Sequence, residues 1–148
     1  WVGLSCCESK FDNSIVGRNF RAEKEKSLIY DEEKYKEQPK FLPEDEIIQF
    51  EDIIRTLTNT GGDVYGIMHT WFQDSSGGLK IIKDHWKGPM MYYPEIHKFD
   101  TSTHEAIAMS TEDEFANSCL EFIDDQIQII GGCCGVSDAH LKKLIEKF

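Results

Sequence analysis

The chain has 148 residues, of which 40% are hydrophobic, so it is long enough for one domain with a modest core. Its 27 acidic residues outnumber 16 Lys and Arg residues, giving a formal net charge of −11. So acidic a surface repels phosphates and anionic headgroups, and no apolar run approaches the roughly 20 residues that cross a bilayer. These properties argue against nucleic-acid and membrane partners and predict a cytoplasmic or organelle-matrix protein.

The predicted elements alternate between short apolar strands and amphipathic helices. The chain enters the first strand directly from Trp1, which we expect of a processed, truncated or incompletely predicted product. Predicted strands are Val2–Cys6, Val64–His69, Met90–Tyr93 and Ile127–Ile130, and predicted helices cover about 45–59, 77 or 78–86, 111–125 and 137–148. Residues 12–43 are rich in charge and lack apolar periodicity, so we interpret them as a charged insertion.

Strands that alternate with helices in this way predict an α/β fold with a parallel sheet and right-handed crossovers. An eight-stranded TIM barrel needs about 250 residues, so about four βα units correspond to half a barrel. We therefore expect residues 1–148 to form the C-terminal half of a barrel. On this interpretation an N-terminal half is missing, and the partners to consider are that missing half or further copies of the chain in an oligomer.

The five cysteines, at positions 6, 7, 119, 133 and 134, do not suggest a disulfide framework. Their number is odd, and adjacent cysteines rarely bridge each other because the link strains the peptide between them. The two adjacent pairs could provide thiolates for a metal. Alternatively they are small buried apolar residues, which is the interpretation we prefer for Cys119 on a helix face.

The segment Gly131-Gly132-Cys133-Cys134-Gly135 directly follows a predicted buried strand. Barrel enzymes keep their active sites at the carboxyl ends of their strands, and Cys6 ends the first strand in the same way. Three thiolates at one rim predict a zinc site with an open fourth position, which is typical of catalytic zinc. His69 ends the second strand at the same rim, either as a ligand or proton carrier or as a hydrogen-bonded rim histidine.

The C-terminal sequence IIGGCCGVSDAHLKKLIEKF resembles the signature of the homocysteine S-methyltransferase family. The resemblance covers residues 1–7 and 86–148, where WKGP and MYYPE are similar to the family's penultimate strand. Val2–Cys6 resembles the strand that carries the family's first zinc ligand, with Ser5 where the family usually has Asn. Strand alternation would point Cys7 away from Cys6, and the register favours Cys6 as the ligand. The predicted strand Val64–His69 lies between the two strands matched to the family, where the family has no further strand. It is therefore either an addition in this chain or a sign that the match of Val2–Cys6 to the family is shifted by one strand.

The resemblance implies a zinc-dependent methyl transfer from a sulfonium or ammonium donor to the thiol of homocysteine, giving methionine. Cys6, Cys133 and Cys134 would hold Zn²⁺, and the homocysteine sulfur would take the fourth position. S-methylmethionine, S-adenosylmethionine and betaine are the donors that the resemblance leaves open. Two alternatives remain: a truncated, non-catalytic zinc-thiolate relative, or a subunit that completes a barrel with another chain.

Overall fold

The computed structural model describes residues 1–8, 14–17, 48–100 and 105–148. Within these ranges the chain forms eight strands and four α-helices. The strands are β1 (Val2–Leu4), β2 (Cys6–Glu8), β3 (Ile15–Gly17), β4 (Tyr65–Trp71), β5 (Met90–Glu95), β6 (His97–Asp100), β7 (Glu105–Ala108) and β8 (Ile127–Ile130). The helices are α1 (Phe50–Thr58), α2 (Ser75–His85), α3 (Glu112–Phe122) and α4 (Asp138–Lys147).

Four strands form a parallel sheet in the order β1-β4-β5-β8. All four predicted strands lie in this sheet, and a helix follows each of β4, β5 and β8 along the chain. The predicted alternation of parallel strands and helices is therefore confirmed, and the arrangement is compatible with part of a β/α barrel. Because the strands are parallel, their carboxyl ends meet at one edge of the sheet.

The core lies between this sheet and the helices. Tyr65 and Tyr92 on neighbouring strands are fully buried, and the ring of Trp86 packs 4.8 Å from that of Tyr65. The Tyr65 hydroxyl donates to the carbonyl oxygen of Leu57, so this large aromatic residue is buried with its polar atom satisfied. The helices contribute the fully buried side chains Phe50, Ile54, Leu79, Ile82, Phe115, Ala116 and Cys119.

Two antiparallel strand pairs, β2–β3 and β6–β7, were not predicted. The first places Cys6 in β2 and not at the end of β1. The predicted insertion at about 12–43 lies outside the described residues, apart from 14–17, which contain β3. Both pairs consist of strands of three or four residues, which are too short to give a clear alternating pattern.

Helix α2 begins at Ser75, two or three residues before its predicted start, so Gly77 and Gly78 lie inside it. A Cβ added at Gly78 would lie 2.5 Å from Cys6 Sγ. Gly78 therefore allows β2 to approach the helix closely, and this requirement outweighs the poor helix propensity of glycine.

Helix α3 begins at a capping box formed by Thr111 and Glu114. The Glu114 N–H donates to Thr111 Oγ1 at 3.3 Å, and the Thr111 N–H donates to the Glu114 carboxylate at 2.8 Å. Helix α4 begins after its N-cap Ser137, whose N–H donates to His140 Nδ1 at 3.2 Å. Across the described ranges, no helix is long and apolar enough to span a membrane.

Candidate metal site

The loop after β8 is fixed to the end of β5 by main-chain hydrogen bonds. The Cys133 N–H donates to the carbonyl oxygen of Pro94, and the Ile96 N–H donates to that of Cys134, each at 3.0 Å. Gly135 then turns the chain at a φ of 84°, which a residue with a side chain rarely adopts. The two cysteines are therefore held at the carboxyl end of the sheet by backbone geometry, as the sequence predicted.

His69 completes a compact group with these cysteines. Its Nδ1 lies 3.2 Å from Cys133 Sγ and 3.4 Å from Cys134 Sγ, and the two Sγ atoms are 3.9 Å apart. All three side chains are partly accessible to solvent. Tetrahedral zinc, with Zn–S near 2.3 Å and Zn–N near 2.05 Å, separates its ligand atoms by about 3.6–3.8 Å. The donor atoms are of the types that zinc prefers, and their separations of 3.2–3.9 Å lie on either side of this range, so small side-chain shifts would bring them to it.

An irregularity of β4 positions His69. Its φ of 50° makes it the sole non-glycine residue with positive φ in the described part of the chain. Between Met68 and Trp71, three steps along β4 oppose two along β5, so β4 contains a bulge. The Ser5 hydroxyl donates to the His69 carbonyl oxygen and supports this backbone conformation. Such a conformation costs about 1–3 kcal/mol and is concentrated at functional sites.

Glu95 and His97 extend the group on the β5 side. The Glu95 side chain is 6% exposed, and its Oε2 lies 3.8 Å from His69 Nδ1. Ligand atoms of Glu95, His97 and Cys134 also lie within 4.8 Å of one another. His97 Nδ1 is buried without a hydrogen-bond partner among the described residues. Sequence reasoning missed Glu95, although its position at the carboxyl end of a buried strand was a usable signal.

A model of the family described as homocysteine S-methyltransferase matches residues 37–148. The chain belongs to the homocysteine S-methyltransferase family. The matched segment contains β4, β5 and β8, and with them His69, Cys133 and Cys134. A comparison with curated proteins finds no match to this chain. The family suspected from the C-terminal signature is thus confirmed, and with it a methyltransferase ancestry.

Cys6 lies apart from the homocysteine S-methyltransferase segment and from the thiol pair. It precedes the matched residues, is 1% exposed, and belongs to neither group of candidate ligands in the described chain. Its N–H donates to Thr70 Oγ1 at 3.0 Å, and Thr70 Oγ1 lies 3.9 Å from its Sγ. Burial raises the pKa of Cys6 to about 12. Its role as a zinc ligand stays a prediction, and one that requires the thiol to leave the core.

The remaining thiols differ in their surroundings. Burial raises the pKa of Cys119 to about 12, in keeping with its interpretation as a core residue. Cys7, next to Cys6 in β2, is partly exposed, as expected from strand alternation. Burial and the neighbouring Cys133 raise the pKa of Cys134 to about 11. A thiol of that pKa is protonated at neutral pH, so it becomes a thiolate only when a cation displaces its proton.

Proposed function

We propose that this chain takes part in zinc-dependent methyl transfer to the thiol of homocysteine, giving methionine. The observation that carries the proposal is the pair Cys133–Cys134, held at the carboxyl end of β8 within the segment that matches the family. Strand carboxyl ends are where β/α barrel enzymes place their catalytic groups. We also propose that the four parallel strands correspond to the C-terminal half of such a barrel.

Cys133 and Cys134 would hold zinc together with a third protein ligand, leaving one position for the homocysteine sulfur. Bound zinc would keep that sulfur as a thiolate at neutral pH, where a free thiol is mostly protonated. In the transfer, a carbon–sulfur bond forms between the donor's methyl group and the thiolate. The donor's own bond to that methyl breaks, its electron pair stays on the donor, and the cationic donor leaves neutral.

The chain's own groups would orient the reactants. The main-chain hydrogen bonds of Cys133 and Cys134 fix the thiolates against β5, so the site needs little rearrangement when a substrate binds. Glu95 supplies a buried carboxylate beside them, which suits a cationic donor or the ammonium group of an amino acid. S-methylmethionine, S-adenosylmethionine and betaine all carry such a cationic centre and are the donors to test.

The test is to incubate the zinc-repleted full chain with homocysteine and each donor in turn, and to measure methionine by mass spectrometry. We expect methionine from at least one donor with the parent and with Cys7→Ser, a variant that loses a thiol outside the candidate site. We expect none with Cys133→Ser or Cys134→Ser. A zinc-containing, folded parent that produces no methionine from any donor would contradict catalysis by this chain and favour a non-catalytic or subunit role.

A further inference from the structure

The order of the strands bears directly on the identity of the third zinc ligand. β4 pairs with β5, and β5 pairs with β8, whereas β1 lies on the far side of β4. A side chain at the carboxyl end of β4 is therefore separated from the loop after β8 by one strand. A side chain that follows β1 is separated from that loop by two. The neighbour of β5 on this side is thus β4, so the strand predicted at Val64–His69 lies inside the parallel sheet.

His69 occupies the place that this order gives to the third ligand. Its Nδ1 lies within 3.4 Å of both Cys133 Sγ and Cys134 Sγ. Its backbone has a φ of 50° at the bulge of β4, a conformation that the fold maintains without a glycine. An unfavourable backbone conformation at the one residue that faces both thiols indicates that the fold holds this imidazole in place for a function.

We propose that His69 is the third protein ligand, so that one zinc ion is bound by one imidazole nitrogen and two thiolates with the fourth position open. This inference rests on the proposed function for the choice of zinc and for the use of the open position. Two thiolates and a neutral imidazole leave the zinc site without net charge, whereas three thiolates leave it with one negative charge. The bound homocysteine sulfur would accordingly be less electron-rich than in a site with three thiolates.

The direct test is X-ray absorption spectroscopy on the zinc-containing full chain. In the absence of substrate, we expect the zinc to have two sulfur neighbours at about 2.3 Å and nitrogen at about 2.05 Å. A first shell with three protein sulfurs in the absence of substrate would overturn the assignment of His69. This readout does not depend on turnover, so it is independent of whether methyl transfer occurs.

A cobalt titration of matched variants tests the same point. We expect His69→Ala to weaken Co²⁺ binding by more than about 100-fold. Loss of a residue that only hydrogen-bonds to a metal ligand already weakens metal binding about 10–100-fold, and loss of a ligand itself should cost more. Cys6→Ser should leave Co²⁺ affinity within about threefold of the parent, since Cys6 lies outside the ligand group. His69→Cys should retain the metal and show stronger sulfur-to-cobalt charge-transfer absorption.

The outcomes separate the two proposals, provided that circular dichroism shows each variant to be folded. Loss of Co²⁺ from Cys6→Ser with full retention by His69→Ala would overturn His69 and leave the proposed function standing. A folded parent that binds no Co²⁺ or Zn²⁺ would also overturn the assignment of His69. Zinc bound through His69 with no methyl transfer to homocysteine would support this inference and contradict the proposed function.

Discussion

At the scale of single residues, the position of Cys6 is explained by what lies opposite it in α2. Its Sγ lies where a side chain at Gly78 would have to be, 2.5 Å from an added Cβ. Ile67 Cδ1 would lie 2.9 Å from the same Cβ. The thiol therefore acts as a core packing group, and Gly78 is needed because the thiol is there.

This packing predicts non-additive effects. Gly78→Ala should destabilise the parent by roughly 1–3 kcal/mol through overpacking, more than the gain of about 1 kcal/mol from replacing glycine in a helix. In a Cys6→Ala background the sulfur is gone and the remaining close contact is with the flexible end of the Ile67 side chain, so the same change should cost clearly less than in the parent. Urea unfolding of the two single variants and the double variant measures this coupling. Additive effects within about 0.5 kcal/mol would show that Cys6 and Gly78 are not in contact.

The residues of the site differ in how far the sequence could predict them. Cys133 and Cys134 were predictable because glycines follow a clear buried strand, and strand ends converge in a parallel sheet. His69 was recognised as a rim residue, but its approach to the thiols depends on a bulge. One extra residue in a strand leaves no distinctive pattern in a single sequence. The hydrogen bond of Cys6 to Thr70 is a tertiary contact that local periodicity does not record.

At the scale of elements, the start of α3 depends on reciprocal hydrogen bonds between Thr111 and Glu114. Hydrogen bonds from the backbone and the side chain of Thr111 lower the pKa of Glu114. Because the folded pKa is lowered, the Glu114 carboxylate stabilises the fold above its unfolded pKa, and this contribution is lost as the pH falls through the folded pKa.

We therefore expect Thr111→Ala to lower the free energy of unfolding by about 1 kcal/mol at neutral pH. The penalty should shrink as the pH falls below the ordinary range of a glutamate, because the carboxylate is then protonated. Thr111→Ser keeps the hydroxyl and is the matched control, expected to be close to the parent. Equal destabilisation by alanine and serine, or a penalty that does not change with pH, would contradict this account of the cap.

The elements themselves were largely predictable, since each of the four parallel strands is an apolar segment bounded by turn residues. Their exact ends were not. β5 continues to Glu95, two residues beyond the predicted end, and β4 continues past His69 to Trp71. The extensions include the buried polar residues Thr70 and Glu95. Such residues interrupt the apolar run that marks a buried strand, so the sequence pattern ends before them.

At the scale of the whole molecule, the candidate site connects segments that are distant in sequence. Cys133 lies 64 positions after His69 in the sequence, yet their side chains are in contact because β4 and β8 flank β5. A metal bound by these groups would link both flanking strands to the middle one. A ligand set of this kind exists in the folded state and is dispersed in the unfolded chain, so metal binding and folding are coupled.

This coupling predicts that zinc raises the thermal stability of the full chain. A ligand at 100 times its dissociation constant adds about 2.7 kcal/mol, which for a chain of this length corresponds to roughly 5–10 °C in Tm. Differential scanning calorimetry with and without zinc measures the shift, with Cys7→Ser as the control that should behave like the parent. The double variant Cys133→Ser/Cys134→Ser should show almost no shift.

An equal rise in Tm in the parent and in the double variant would place the stabilising zinc elsewhere on this acidic chain, for example at surface carboxylates. A shift that survives in the double variant but disappears on removal of His69 would mean that the imidazole binds zinc without the thiols.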